Sequence, residues 1–266
     1  MIAINGHVVD IGSFPDGTIL MKQGPGQITG CDAWIEWKYE NDREFLALIY
    51  MVKHLRHLDY QRIDLYMPYI PNARQDRVKT SEDVFTLKYF AELLNSLNLS
   101  SVTVLDPHSS VSEALINNLS IVTPQSYLLS VLVKLSANGV RDLLMFYPDE
   151  GAMKRYSGMI ELPYAFGIKK RDWKTGQILG LDVAGEVNSI AGKDILIVDD
   201  ICSRGGTFLH SAKKLKELGA NDIYLYVSHC ENTILEGELL TSGLIKKVFT
   251  TDSIFTKSHE KIEVLK

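Results

Sequence analysis

The chain has 266 residues, 45% of them hydrophobic, enough for one large or two medium domains with proper cores. A net charge of −5 argues against a nucleic-acid-binding surface, and no apolar run reaches the roughly 18 residues of a membrane span. The opening residues lack the basic-then-apolar layout of a secretory signal, and the well-separated Cys31, Cys202 and Cys230 fit reduced thiols in a cytoplasm.

Along the chain, apolar runs alternate with amphipathic helices, which predicts an α/β fold with mostly parallel sheets. His7, Val8 and Val9 suit a small hairpin, and Ala33 to Trp37 reads as the first strand. Phe45, Leu48, Ile49, Val52 and Leu55 form one stripe of a helix over Glu44 to Leu55. A strand at Ile63 to Met67, a helix over Phe85 to Leu97 and a strand at Val102 to Leu105 follow. Pro124 and Gln125 then interrupt the pattern, placing a boundary near residues 121–126 and two lobes at 1–123 and 124–266. The second lobe offers strands at Leu143 to Tyr147, Ile195 to Val198 and Ile223 to Val227. The continuous apolar run at Ile195 is that of a strand buried on both faces, ending abruptly at Asp199. Phe208, Ala212, Leu215 and Leu218 recur at helical spacing up to Gly219, a C-terminal cap. Ligands of open α/β sheets gather outside the carboxyl ends of the strands, so a site between the two lobes is expected.

Residues 195–207, ILIVDDICSRGGT, carry the most chemistry. Gly205, Gly206 and Thr207 open a helix whose backbone N–H groups can close round a phosphate, while Asp199 and Asp200 can hold ribose hydroxyls or a cation. Four further segments place polar groups at strand ends: Phe14 to Thr18, Pro71 to Arg77, Asp106 to His108, and Pro148 to Gly151. Lys169, Lys170 and Arg171 lie in a polar stretch with the look of a mobile loop. Each has an ordinary structural reading in isolation. His108 beside Asp106 suits a structural hydrogen bond, Arg74 and Arg77 around Asp76 a solvated ion cluster, Asp149 a turn, and Lys169 to Arg171 an exposed charge run.

Together and in this order, the segments SFPDGT, MPYIPNARQDR, DPH, YPDEG, KKR and DDICSRGGT resemble the motifs of the ribose-phosphate diphosphokinase family, the phosphoribosyl-diphosphate synthetases. The resemblance spans roughly residues 13–230. It implies two lobes of type I phosphoribosyltransferase-like fold, an ATP-binding first lobe and a ribose-phosphate-binding second lobe. The family moves the β,γ-diphosphate of ATP to the anomeric hydroxyl of ribose 5-phosphate and releases AMP. By resemblance, Phe14, Asp16, Arg74, Gln75, Asp76 and His108 would bind ATP, with Phe14 stacking on adenine from a neighbouring subunit. His108 and Asp149 would hold Mg²⁺, and Lys169 and Arg171 would close over the transferring group. Asp199 and Asp200 would take the acceptor's 2- and 3-hydroxyls, and Ser203, Arg204, Gly205, Gly206 and Thr207 its phosphate. A homo-oligomer built from dimers, up to a hexamer, is expected, and neither nucleic acid nor membrane is an expected partner.

Three departures stand out. Where the family has Asp-Thr before the paired glycines, this chain has Ser203–Arg204, a change of about two charge units beside the acceptor's phosphate. That admits a larger 5-substituent, such as the diphosphate of ADP-ribose, as well as ribose 5-phosphate. The family's Glu after FPDG is Thr18, and the segment before Phe14 looks too short for the family's opening strand and helix. Two other functions remain open at this level: a phosphoribosyltransferase consuming a ribosyl diphosphate, and a non-catalytic regulatory homologue.

Overall fold

A computed structural model describes the backbone of residues 1–22, 31–171 and 178–266, and the side chains of all of these except 169–171 and 178–181. The chain forms two compact units, Met1–Thr123 and Pro124–Lys266. Among the described residues, no helix is long and apolar enough to cross a membrane.

The first unit contains strands β1 (Ile2–Ile4), β2 (His7–Val8), β3 (Asp10–Ser13), β4 (Ile19–Lys22) and β5 (Asp32–Trp37), then helix α1 (Asp42–His57). Strand β6 (Arg62–Tyr66), helix α2 (Thr86–Asn95), strand β7 (Ser101–Leu105), helix α3 (Val111–Leu115) and strand β8 (Leu119–Val122) complete it. The main sheet runs β2-β1-β5-β6-β7-β8, parallel from β5 to β8. Alternate residues Ala33, Ile35 and Trp37 of β5, Ile63 and Leu65 of β6, and Val102 and Val104 of β7 face one core. The apolar stripe Leu48, Met51, Val52 and Leu55 of α1 and Leu87, Phe90, Ala91 and Leu94 of α2 pack into that same core. Glu44 is buried in the first turn of α1 because its carboxylate is used: it accepts from the Trp37 indole at 3.0 Å and the Glu40 N–H at 2.9 Å.

The opening residues correct one expectation. A strand does form before residue 7: Ile2–Ile4 pairs antiparallel with β5 and with His7–Val8. The two-residue Asn5–Gly6 connection, with φ of +47° and +83°, is the left-handed turn that suits a hairpin's twist, so very few residues suffice.

The second unit contains helix α4 (Gln125–Ala137), strand β9 (Leu143–Tyr147), helix α5 (Glu150–Tyr156), and strands β10 (Tyr164–Arg171), β11 (Ile178–Gly185) and β12 (Asp194–Cys202). Helix α6 (Gly206–Glu217) and strands β13 (Ile223–Cys230), β14 (Lys247–Thr251) and β15 (Ile262–Leu265) follow. Its sheet runs β11-β10-β9-β12-β13-β14-β15, parallel except for the β10–β11 hairpin. Ile195 and Ile197 of β12 pack with Phe208, Ala212 and Leu215 of α6. Leu196 and Val198 pack on the other face with Leu128, Val131 and Leu135 of α4 and Tyr156 of α5. Coverage of both faces is why this strand is an unbroken apolar run.

Two boundaries differ from expectation. Strand β12 does not end at Asp199 but runs on to Cys202, because β13 extends alongside it: Asp199 pairs with Val227, Ile201 with His229 and Cys202 with Cys230. Polar side chains do not end a strand whose neighbour still offers ladder partners. Lys169 to Arg171 are likewise not loop but the end of β10, with Lys169 opposite Leu181 and Lys170 opposite Gly180 across the hairpin. A two-strand hairpin at a sheet edge tolerates polar residues that would exclude a central strand.

Candidate functional site

In the second unit, the acidic pair is set by strand parity. Successive side chains of β12 point to opposite faces, so Asp200 shares the face of Leu196 and Val198, toward α5. Arg155 of α5 reaches it, donating from Nη1 to Asp200 Oδ2 at 3.0 Å. Asp200 is only 4% exposed, so this guanidinium offsets the cost of a buried charge. Asp199 is half-buried, and its carboxylate accepts the Asp200 backbone N–H at 3.0 Å. Burial, first, and then the Asp200 charge push the Asp199 carboxyl well above the usual carboxylate range, and Asp149 adds to the effect. The charges of Asp200, on the same strand, and of Asp149, after β9, thus both bear on Asp199.

Asp149 is held by local geometry. It is the N-cap of α5, extended at φ −158°, and its Oδ1 accepts the Ala152 N–H at 3.0 Å. Arg155 is not among the residues to which the sequence points. Its one signal is its place near the far end of the short helix that Asp149 opens.

The phosphate-cradle candidate starts where β12 ends. Gly205, at φ +80°, is the left-handed residue that turns the chain into α6, and an added Cβ there would lie 2.8 Å from Leu239. The first N–H groups of α6 have no acceptor within the helix, which leaves them free for an anion, while Leu209 N–H already returns to Gly205 O at 2.9 Å. Thr207 O accepts the Ser211 hydroxyl at 3.0 Å. Gly237 buttresses the loop from behind: a Cβ there would meet Arg204 O at 2.0 Å. Arg204 itself points to solvent and pairs with Glu236 at 3.0 Å.

In the first unit, the residues singled out by sequence lie on loops. Phe14 to Thr18 form the turn of the β3–β4 hairpin, closed by Phe14 N–H to Thr18 O at 3.0 Å. Phe14 is 49% exposed at that turn. Asp16 accepts from the Thr18 hydroxyl at 2.7 Å and from its N–H at 3.0 Å, and these bonds lower its pKa. After β6, the exposed Arg74 precedes Gln75, whose side-chain oxygen accepts from Thr86 Oγ1 at 3.0 Å. Asp76 receives a two-pronged contact from Arg77 at 2.7 and 2.9 Å, and the Ser109 hydroxyl at 2.6 Å. These donors, led by Arg77 and opposed by partial burial, hold Asp76 at a pKa of about 2. Asp76 therefore ties the loop after β6 to the loop after β7. On the latter, Asp106 is buried at φ +39° and His108 is half-buried.

The structure thus gathers Asp149, Asp199, Asp200 and residues 203–207 in the second unit, and Asp76 with the 106–109 loop in the first. Lys169 and Arg171 have described backbone on β10, and their side chains lie outside the described residues. Among the described residues, no group of three or more His, Cys, Asp or Glu is placed to enclose a metal ion by itself.

Residues 2–97 match the sequence profile of the N-terminal domain of ribose phosphate pyrophosphokinase. The chain is similar to the ribose-phosphate pyrophosphokinase of Bacillus subtilis, 28% identical over 264 residues that cover 95% of this chain and 79% of that one. It is similar to that of Corynebacterium ammoniagenes at 27% identity over 94% of this chain and 78% of that one, and to that of Rhizobium meliloti at 29% over 91% and 77%. Its fold matches the crystal structure of phosphoribosylpyrophosphate synthetase from Mycobacterium smegmatis with a TM-score of 0.80, covering 97% of this chain and 85% of that one at 21% identity.

Proposed function

We propose that this chain works as an enzyme of the ribose-phosphate pyrophosphokinase family, which it resembles over most of its length, moving the β,γ-diphosphate of ATP to the anomeric hydroxyl of a ribose bearing a 5-phosphate group and releasing AMP. The observation that carries this reading is the juxtaposition of an acidic pair in the last part of β12, Asp199–Asp200 with Asp149 acting on it, and a glycine-turned helix N-terminus a few residues further along the chain. A carboxylate pair accepts two neighbouring sugar hydroxyls, and the N–H groups from Gly206 onward take the phosphate on the same sugar.

Attack by the anomeric oxygen falls on the β-phosphorus, where charge builds on non-bridging oxygens and on the departing AMP. The protein's contribution is positioning and charge neutralisation. Arg74, Gln75 and His108 would hold the nucleotide, with Asp76 keeping their loop against the 106–109 loop through Arg77 and Ser109. Lys169 and Arg171 would supply positive charge to the transferring group.

Mg²⁺ is the cofactor this chemistry calls for, and the donor set suits it. Asp149 and Asp199 offer hard oxygens whose mutual repulsion a divalent cation relieves. Asp149 and His108 are its proposed ligands, with phosphate oxygens and water filling the remaining positions. Bound there, the ion would supply neutralising charge to the di- and triphosphate oxygens.

The acceptor is ribose 5-phosphate or a ribose with a larger 5-substituent such as ADP-ribose, which would place the enzyme in nucleotide or NAD metabolism respectively. Support for the larger substituent is Arg204, a solvent-facing guanidinium next to the cradle. Phe14, half-exposed at a hairpin turn, supports a homo-oligomer in which it covers adenine in a neighbouring subunit. The test offers purified protein ATP and Mg²⁺ with each acceptor separately and follows AMP by chromatography. AMP release that requires a ribose acceptor supports the reading; AMP release with neither sugar, or none at all, overturns it. A large advantage for ribose 5-phosphate removes the larger-substituent idea alone.

A further inference from the structure

Three facts converge on the edge of the cradle. The backbone of Arg204 is clamped, because Gly237 touches its carbonyl so closely that a Cβ would come within 2.0 Å. Leu239 seals Gly205 in the same way, since a Cβ on that glycine would lie 2.8 Å from the leucine side chain, so the chain around Gly237 and Leu239 packs directly against that around Arg204 and Gly205. The Arg204 side chain is by contrast 72% exposed, and it is docked on Glu236, itself 59% exposed, at 3.0 Å.

We propose that Glu236 is a specificity-determining positioning residue, which competes with the acceptor's anionic arm for the Arg204 guanidinium. This rests on the reading of residues 203–207 as the acceptor's phosphate cradle. An exposed ion pair favours its closed form by only about two- to fivefold. A phosphate offers the same guanidinium two charge-assisted bonds in a matching geometry, so an arriving anion displaces the carboxylate easily. With the Arg204 backbone packed against Gly237, the exchange needs only a change of side-chain rotamer. Without acceptor, Glu236 neutralises Arg204 and keeps stray anions from being held there. With acceptor, the released carboxylate faces the anion and subtracts from its binding.

The effect depends on acceptor length. A single phosphate seated on the first N–H groups of α6 is satisfied largely by the helix terminus. A second phosphate further along the 5-substituent lies beyond those donors and depends on Arg204. Glu236 therefore weighs more on a diphosphate arm than on a monoester.

Calorimetric titration of ribose 5-phosphate and of ADP-ribose, without ATP, tests this in four proteins: wild type, Glu236→Gln, Arg204→Ala and the double variant. Glu236→Gln is expected to bind ADP-ribose about two- to fivefold more tightly, with a smaller gain for ribose 5-phosphate. The gain disappears in the Arg204→Ala background, and Glu236→Asp restores wild-type affinity. A gain that persists without Arg204, or no gain from Glu236→Gln in a wild type that binds the sugars, overturns the proposal and leaves the function standing. If wild type binds neither sugar, the cradle reading fails and the proposal fails with it.

Discussion

The carboxylates of the two units are treated in opposite ways. Asp76 of the first unit sits in a loop, meets three donors from Arg77 and Ser109, and is driven down to a pKa of about 2. Asp199 of the second unit sits on a strand covered on both faces, beside Asp200 and Asp149, and is driven well up. Among the described residues, the Arg155 guanidinium reaches this group and is directed to Asp200. A carboxylate with its charge matched locally serves the fold. Carboxylates crowded together raise one another's pKa, at a cost that a ligand can relieve, and such groups mark sites.

That contrast can be broken or sharpened by substitution. The largest effect is expected at Lys169, whose proposed work is in the transition state. Lys169→Ala should lower turnover by about two to three orders of magnitude while ATP affinity and the melting temperature stay near wild type. Equal losses in affinity and rate, from steady-state kinetics with a binding titration, would make it a ground-state binding group instead.

Asp200→Ala should be the most destabilising of the carboxylate changes. It removes the carboxylate that the Arg155 guanidinium contacts at 3.0 Å, at a cost of about 2–3 kcal/mol, read by denaturant unfolding. Asp199→Asn should do the reverse: abolish AMP release and raise the melting temperature. Because the folded carboxyl is raised, ionised Asp199 costs stability at pH values above its folded pKa, and the cost fades as pH falls through it. The advantage of Asn should therefore be largest at neutral pH and shrink in acid.

Asp76→Asn should have the smallest effect, about 1–2 kcal/mol of stability at neutral pH, with opposite pH dependence. A depressed pKa contributes stability that is complete above the ordinary carboxylate value near 4 and is lost as pH falls through about 2. Unfolding curves between pH 6 and roughly pH 3 should show the variant's deficit narrowing toward half. A constant deficit would mean that packing, rather than the ion pair with Arg77, sets the value of Asp76.

The long, strongly patterned elements are legible in the sequence. Strand β9 and helix α6 fall where periodicity puts them, and α1 and α2 differ from expectation by a few residues at their ends. Short or atypical elements are not. Strand β1 has three residues and depends on β5 as a partner; β8 alternates weakly; β14 and β15 are five and four residues long. Helix α4 spreads apolar residues round its circumference, with Leu129 and Val133 exposed, so it lacks a clear stripe and Pro124 reads as an interruption rather than a helix start. At the site, Asp199, Asp200 and the glycines are readable because a run of such residues at a strand end is rarely ordinary surface. Arg155 and Glu236 are not, since an arginine or glutamate on a short helix carries no signal until its partner is known. Likewise, nothing in the sequence shows that Gly237 lacks a side chain because Arg204 O occupies the space.

The central claim is that both terminal phosphates of ATP leave together and end on a sugar's anomeric oxygen. Mass spectrometry of a single reaction containing protein, ATP, Mg²⁺ and a ribose acceptor tests it most directly. AMP and an acceptor enlarged by one diphosphate group, in equal amounts and both lost in Asp199→Asn, is the predicted result. ADP in place of AMP, or free diphosphate formed from a ribosyl diphosphate with no ATP consumed, would contradict it.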